Sequence, residues 1–305
     1  MLIVVQMIML IAAGSAWRWL RPQGLDVDQT RTALSSVVYH LFLPALVLDV
    51  MWQTPLSADS LRIPLVAAGC IVLIAPLAWL VYGRWLKQSR GVVGALVLAA
   101  VFPNATYMGL PFLEGIFGAW ARGIAIQYDL FACTPLLMTA GIAFARAHGQ
   151  GQSPQNPLTT LLRIPPLWAL VAAIGLNLAG IPMPALIAGL LELMSGAVVP
   201  LMLLAIGMGL RWNLPWKHSL GLLLPVAIAQ LFLMPALAFS LGLGVGLQGE
   251  TLKAIVLEAS MPTMVLGIVI CDRYHLASSL YAAAVTVTTL LSLLILPGWI
   301  AFTHA

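Results

Sequence analysis

Apolar residues fall in blocks along the whole chain, each closed by charged residues, glycine or proline. A helix needs ~20 apolar residues to cross ~30 Å of hydrocarbon. The blocks predict ten such helices, over 2–17, 33–52, 62–83, 91–117, 121–145, 161–180, 184–210, 218–243, 251–271 and 277–300. Tryptophans 17, 19, 52, 85, 120, 212, 216 and 299 fall at or near the ends of these blocks, and Trp79 and Trp168 lie slightly deeper. An indole, apolar in body and polar at its N–H, favours that position. The first block resembles a leader peptide, with Ala-Gly-Ser-Ala at 13–16. It has no basic residue ahead of it, however, and Arg18 and Arg21 follow it, so it reads as a first span with its N-terminus outside.

Charge placement gives the topology. Eleven of the fourteen Lys and Arg residues follow odd-numbered spans: Arg18, Arg21, Arg31, Arg84, Lys87, Arg90, Arg146, Arg163, Arg211, Lys217 and Arg273. Only Arg62, Arg122 and Lys253 lie on the other side. Basic loops stay in the cytoplasm, so both termini are expected outside (periplasmic) in a multi-pass protein of the cell's inner membrane. The one extended polar stretch, His148 to Pro157, predicts a cytoplasmic linker over 148–160. It separates a first five-helix repeat (1–147) from a second (161–305). Five is odd, so the two halves must be inverted relative to one another.

Composition agrees with this picture. Hydrophobic residues make up 61% of the 305 positions and charged ones 8%, with a mean hydropathy of +1.01. So little charge cannot wet the surface of a soluble domain. The pI near 9.2 reflects topology-setting loop residues, so no nucleic-acid partner is expected. Cys70, Cys133 and Cys271 have no paired spacing and read as core thiols. No metal or cofactor is implied. The bilayer is one expected partner, and homodimerisation is left open.

Prolines interrupt corresponding spans of the two halves. Pro44 and Pro200 are 156 residues apart in spans two and seven, and Pro103 and Pro262 are 159 apart in spans four and nine. Pro103 lies 13 residues from Arg90 and 11 from Glu114, while Pro262 lies 9 from Lys253 and 10 from Asp272. At ~1.5 Å per residue both fall near mid-membrane. Proline removes a backbone donor and clashes with the carbonyl four residues back. Two antiparallel helices broken at one depth would oppose their half-helix N-termini. Those ends carry free N–H groups and partial positive charge, a setting for a carboxylate.

The stretch Phe102-Pro-Asn-Ala-Thr-Tyr-Met-Gly-Leu-Pro-Phe-Leu-Glu-Gly-Ile-Phe-Gly118 closely resembles the span-four motif of the auxin efflux carrier family of membrane transporters. That family includes the plant PIN-FORMED proteins and bacterial dicarboxylate (malonate-type) carriers. The likeness continues through Leu34 to Leu48, Met261-Pro-Thr-Met-Val and Thr288-Thr-Leu-Leu-Ser to Pro297. It implies an all-α membrane protein of ten helices in a 5+5 inverted repeat, with broken helices four and nine crossing. It implies a secondary carrier that holds a small carboxylate at the crossing, with Asn104 donating its amide. Plant members carry Pro-Gln or Pro-Asn at the second break, where this chain has Pro262-Thr263. The short linker resembles bacterial carriers.

The resulting substrate-site candidates are Pro103, Asn104, Thr106, Pro262 and Thr263. Asn104 has an alternative role as N-cap of the second half-helix, and either threonine could bond a carbonyl of its own helix. Four acidic residues lie inside spans, each costing ~2.5–3.5 kcal/mol near a helix centre. All four, Asp49, Asp129, Glu192 and Glu258, are expected on the outer side of the midplane. Asp129 and Glu258 are the proton-coupling candidates, because a carboxyl withdrawn from water holds a proton more readily. Asp49 and Glu192 read as carboxylates reaching water. His148, His218, His275 and His304 read as solvated loop or end residues, and His40 as packed and hydrogen-bonded. The alternatives are an intramembrane enzyme or a channel-like anion facilitator. The chain shows neither a His-Glu-x-x-His nor a Gly-x-Ser-x-Gly motif, nor a repeated pore loop, so an enzyme is not expected.

Overall fold

A computed structural model describes residues 2–150, 159, 161–210 and 216–304. The predicted linker falls largely on 151–158 and 160, outside the described residues, as do Arg211 and Trp212. The side chains of Trp216, Lys217, His218 and His304 are also outside the description.

Among the described residues the fold is helical. The helices are α1 (Leu2–Leu20), α2 (Val27–Gln53), α3 (Asp59–Trp85), α4 (Arg90–Val101), α5 (105–117), α6 (Ala119–His148), α7 (Pro165–Leu178), α8 (Ala185–Gly209), α9 (216–244), α10 (Gly249–Ala259), α11 (Gly267–Arg273) and α12 (Ser278–His304). Each predicted apolar block is thus helical. Seven helices, α1, α2, α3, α6, α8, α9 and α12, contain a stretch long and apolar enough to cross a membrane alone. The remaining blocks are shorter for definite reasons. Blocks four and nine are each cut in two, giving α4 with α5 and α10 with α11. In block six the Pro165-Pro166 pair delays the helix start, because proline fits the first turn of a helix but cannot extend one backwards.

Proline also shapes the long helices. Pro44, Pro111, Pro135 and Pro235 each sit two residues after a π turn, over Val38–Phe42, Ala105–Gly109, Asp129–Cys133 and Ala229–Leu233. At each, the N–H just before the proline reaches back five residues instead of four: Leu43 to Val38, Leu110 to Ala105, Thr134 to Asp129 and Met234 to Ala229. The widened turn accommodates the ring and re-aims nearby side chains. One carbonyl left without a helical donor has a replacement partner. The Leu231 carbonyl, four before Pro235, accepts the Trp299 indole N–H at 2.8 Å.

Helix pairing is reciprocal. Helix α1 lies along α8, and α7 along α2. Helix α3 packs on α4 and α6, and α9 on α10 and α12. Helix α4 meets α12 and α6 meets α10, while α2 touches α8 and α3 touches α9. The α1–α8 contact is backbone on backbone: a Cβ on Gly14 would overlap the Leu204 carbonyl, and one on Gly207 the Ile11 carbonyl. Ser15 Oγ donates to the Gly207 carbonyl at 3.2 Å and Arg18 Nε to that of Met208 at 2.8 Å. Small residues allow such approach between apolar helices. Cys70, Cys133 and Cys271 are buried and free.

Candidate functional site

The breaks in blocks four and nine touch. Pro103 and Thr263 form an isolated antiparallel bridge: the Asn104 N–H donates to the Pro262 carbonyl at 2.7 Å, and the Met264 N–H to the Phe102 carbonyl at 2.9 Å. Backbone that cannot bond within its own helix must find a partner when it is withdrawn from water. Here two opposed breaks supply one another. Pro103 and Pro262 are thus brought together.

The carbonyl that Pro103 strands is that of Ala99, four residues earlier. It accepts the Thr263 hydroxyl at 2.9 Å and Gln230 Nε2 at 3.0 Å. The Thr263 N–H donates to Thr288 Oγ1 at 3.1 Å, and Thr288 in turn donates to the Ala284 carbonyl at 2.7 Å. Neither candidate threonine donates within its own helix. Thr263 is spent across the crossing, and the Thr106 hydroxyl donates to Asp129.

Asn104 is 2% exposed, yet its side-chain nitrogen has no hydrogen-bond partner among the described residues. The side chain caps nothing; its main-chain carbonyl starts the helix instead, accepting from Met108 (3.2 Å) and Gly109 (3.1 Å). The residue lines a cavity of about 30 Å³, together with Tyr39, Thr106, Tyr107, Asp129, Thr134 and apolar side chains from α2, α6, α7 and the second break. Asp129 is buried and accepts from Thr106 and from Thr134 Oγ at 2.8 Å. The π turn that begins at Asp129 sets Thr134, five residues on, beside its carboxylate.

Glu258 is fully buried in α10, and neither carboxyl oxygen has a hydrogen-bond partner among the described residues. It presses on Gly109, where a Cβ would collide with the carboxyl group. Tyr128, Cys133 and Asp129 lie within electrostatic reach of it. The two proton-coupling candidates therefore flank one segment, residues 105–109, from α6 and α10. Tyr128, whose buried hydroxyl is also unpartnered among the described residues, lies within electrostatic reach of both acids.

Asp49 and Glu192 belong elsewhere. Both line a wider cavity of about 740 Å³, with Gln53, Asp59, Arg122, Gln127 and Thr251 among its other walls. Glu192 is exposed, as expected of a carboxylate reaching water. Asp49 is 9% exposed and accepts Ser195 Oγ at 3.1 Å. Arg122 pairs with Glu114. Gln127 lines this cavity and Asp129 the smaller one, so α6 contributes to both. His40 is exposed, with its ring nitrogen 2.9 Å from the Ser36 carbonyl. His148 ends α6 half-buried, its ring against Phe144 at 4.1 Å between centroids, so it is not a solvated loop residue. His275 is exposed.

Sequence reasoning did not single out Gln230 or Thr134, and it met Thr288 only within the stretch that carries the family resemblance. For Gln230 a signal exists: it is the sole amide in the apolar run 219–244. The hydroxyls gave none, because membrane helices absorb many threonines by bonding them to their own carbonyls.

Comparison with known proteins agrees with this architecture. Residues 1–300 match the family described as "Membrane transport protein". The chain is 29% identical over 283 residues to an uncharacterized transporter of Methanothermobacter thermautotrophicus, covering 92% of this chain and 91% of that protein. It is 26% identical over 287 residues to an uncharacterized transporter of Methanocaldococcus jannaschii, covering 90% and 91%. With the uncharacterized transporter YfdV of Escherichia coli K12 it shares 24% over 291 residues, 92% and 90% of the two chains. Seven apolar helices of spanning length and a family match along nearly all of its length give one conclusion: this multi-pass membrane protein belongs to the membrane transport proteins of the auxin efflux carrier family.

Proposed function

We propose that the protein is a secondary carrier that holds a small carboxylate at the crossing of its two broken helices. The observation that carries this reading is Asn104: an amide donor, buried and unpartnered, beside the start of α5. An unsatisfied buried donor costs ~1–3 kcal/mol, a deficit that an arriving carboxylate oxygen removes. The N-terminus of α5 adds partial positive charge there. Thr106 and the bridge at Pro103, Pro262 and Thr263 frame the site.

The ten-span, 5+5 inverted reading is supported by the reciprocal pairings. Exchanging the first five spans for the last five turns α1–α8 into α7–α2, and α3–α4 into α9–α10. The halves are residues 1–147 and 161–305, joined by the linker 148–160. With both termini outside an inner membrane, the 740 Å³ cavity is the outer vestibule. The turn at 127–129 then separates the vestibule from the substrate, as alternating access requires. Asp129 and Glu258 carry the coupling proton. A proton moved with an anion cancels its charge, worth ~2.3 kcal/mol per 100 mV. A homodimer is compatible with this scheme.

The test is a thermal-shift screen of purified protein against malonate, malate, lactate and indole acetate, repeated on Asn104→Ala. At least one acid should raise the melting temperature of the wild type and leave the variant unmoved. Equal shifts in both proteins, or none in the wild type, would remove the carboxylate reading.

A further inference from the structure

The carbonyls that the two prolines strand are satisfied in different ways. At the second break, the carbonyl four residues before Pro262 belongs to Glu258 and accepts the nearby Met261 N–H at 3.2 Å, within its own chain. At the first break the stranded Ala99 carbonyl reaches outside its own segment, to Thr263 on the opposing break and to Gln230 on α9. Gln230 is fully buried and sits in the π turn Ala229–Leu233, the widening imposed by Pro235. Among the described residues its other amide atom, Oε1, has no partner, so the bond to Ala99 is the one side-chain hydrogen bond that Gln230 makes there.

We propose that Gln230 and Thr263 are positioning residues that fix the end of α4 and thereby aim Asn104 at the cavity, without touching the substrate. The geometry favours this role over ordinary packing. Ala99 lies five residues before Asn104, with no hydrogen-bonded turn across Pro103 to hold the intervening chain rigid. Two donors from two other elements converge on that single carbonyl. Its two lone pairs make the donors redundant for satisfying it, and together they define its direction. Thr263 is also tied through its N–H to Thr288, so the latch joins α4, α9, α12 and the second break. In this chain the residue after Pro262 is turned to the back of the crossing. Among the described residues Asn104 alone then presents an amide to the cavity, while the second break contributes the apolar side chains of Met264 and Leu266. This inference rests on the crossing being the binding site, but its first test does not.

The first test is hydrogen–deuterium exchange on the detergent-solubilised full chain, read in peptides covering 98–108. The variants are Gln230→Leu, Thr263→Val, the double variant and the conservative Thr263→Ser. Each single change leaves Ala99 one donor, so exchange should rise by about fivefold or less, the worth of one neutral hydrogen bond. The double variant should exceed the product of the two single effects, since it alone orphans the carbonyl. Thr263→Ser should match the wild type. Effects that simply multiply, or increases spread evenly over all peptides, would overturn the proposal. The second test measures the malonate and indole acetate concentration giving half-maximal thermal shift. Gln230→Leu should raise it while leaving the ligand-free melting temperature within a few degrees. An unchanged midpoint with locally raised exchange would show a latch that does not aim Asn104, and would also overturn the proposal. A wild type that binds neither acid, with the exchange pattern as expected, would instead count against the carboxylate reading.

Discussion

At the residue scale, the molecule withdraws three polar side chains from water around one short segment, residues 105–109, and leaves each incompletely bonded. Asn104 keeps a free amide nitrogen, Glu258 two free oxygens and Tyr128 a free hydroxyl. Such groups are costly in a low-dielectric interior, and a structure that retains them has a use for them. The proton assignment predicts that Asp129→Asn and Glu258→Gln flatten the pH dependence of uptake into proteoliposomes; unchanged profiles in both would remove it. Gly109 offers a second handle. A methyl there meets the Glu258 carboxyl, so Gly109→Ala should lower stability by about 1–3 kcal/mol. Adding Glu258→Ala should recover much of that loss, and purely additive melting temperatures would show that the two do not press on each other.

At the element scale, proline is the organising residue. It ends α4, defers the start of α7 and sets four π turns, and each consequence follows from a missing N–H. That made much of the architecture legible in advance. Helix positions, the two breaks and their meeting followed from apolar block lengths and from counting residues between charges. The partners of the stranded carbonyls did not. Whether Ala99 is met by Gln230, Thr263 or water depends on which helix lies behind it, and no periodicity encodes that. For Asn104 the motif indicated the position, and only the geometry separated a capping role from a free amide. Another element-level consequence lies at the α1–α8 contact. Gly207→Leu should strongly reduce the yield of monodisperse protein, because its side chain must displace the α1 backbone. Gly221→Leu, on an open helix face, should leave yield unchanged. Size-exclusion profiles of the two variants check this, and equal yields would contradict the close packing.

At the scale of the whole molecule, the proposed carrier combines a repeat, a topology and a gate. Topology can be read with single cysteines in a background lacking Cys70, Cys133 and Cys271. Gln248→Cys should react with an impermeant maleimide added outside the cell, and Ser89→Cys only after the membrane is opened. The reverse pattern would invert the vestibule and the crossing cavity. In the proposed carrier the gate includes the stretch of α6 between Gln127, which lines the 740 Å³ cavity, and Asp129, which lines the smaller one. The most direct test is counterflow in proteoliposomes, using the acid that most stabilises the purified protein. Exchange should saturate with external acid and disappear in Asn104→Ala while the variant remains folded. Exchange that grows without limit, or survives that substitution undiminished, would contradict a carboxylate held at the crossing.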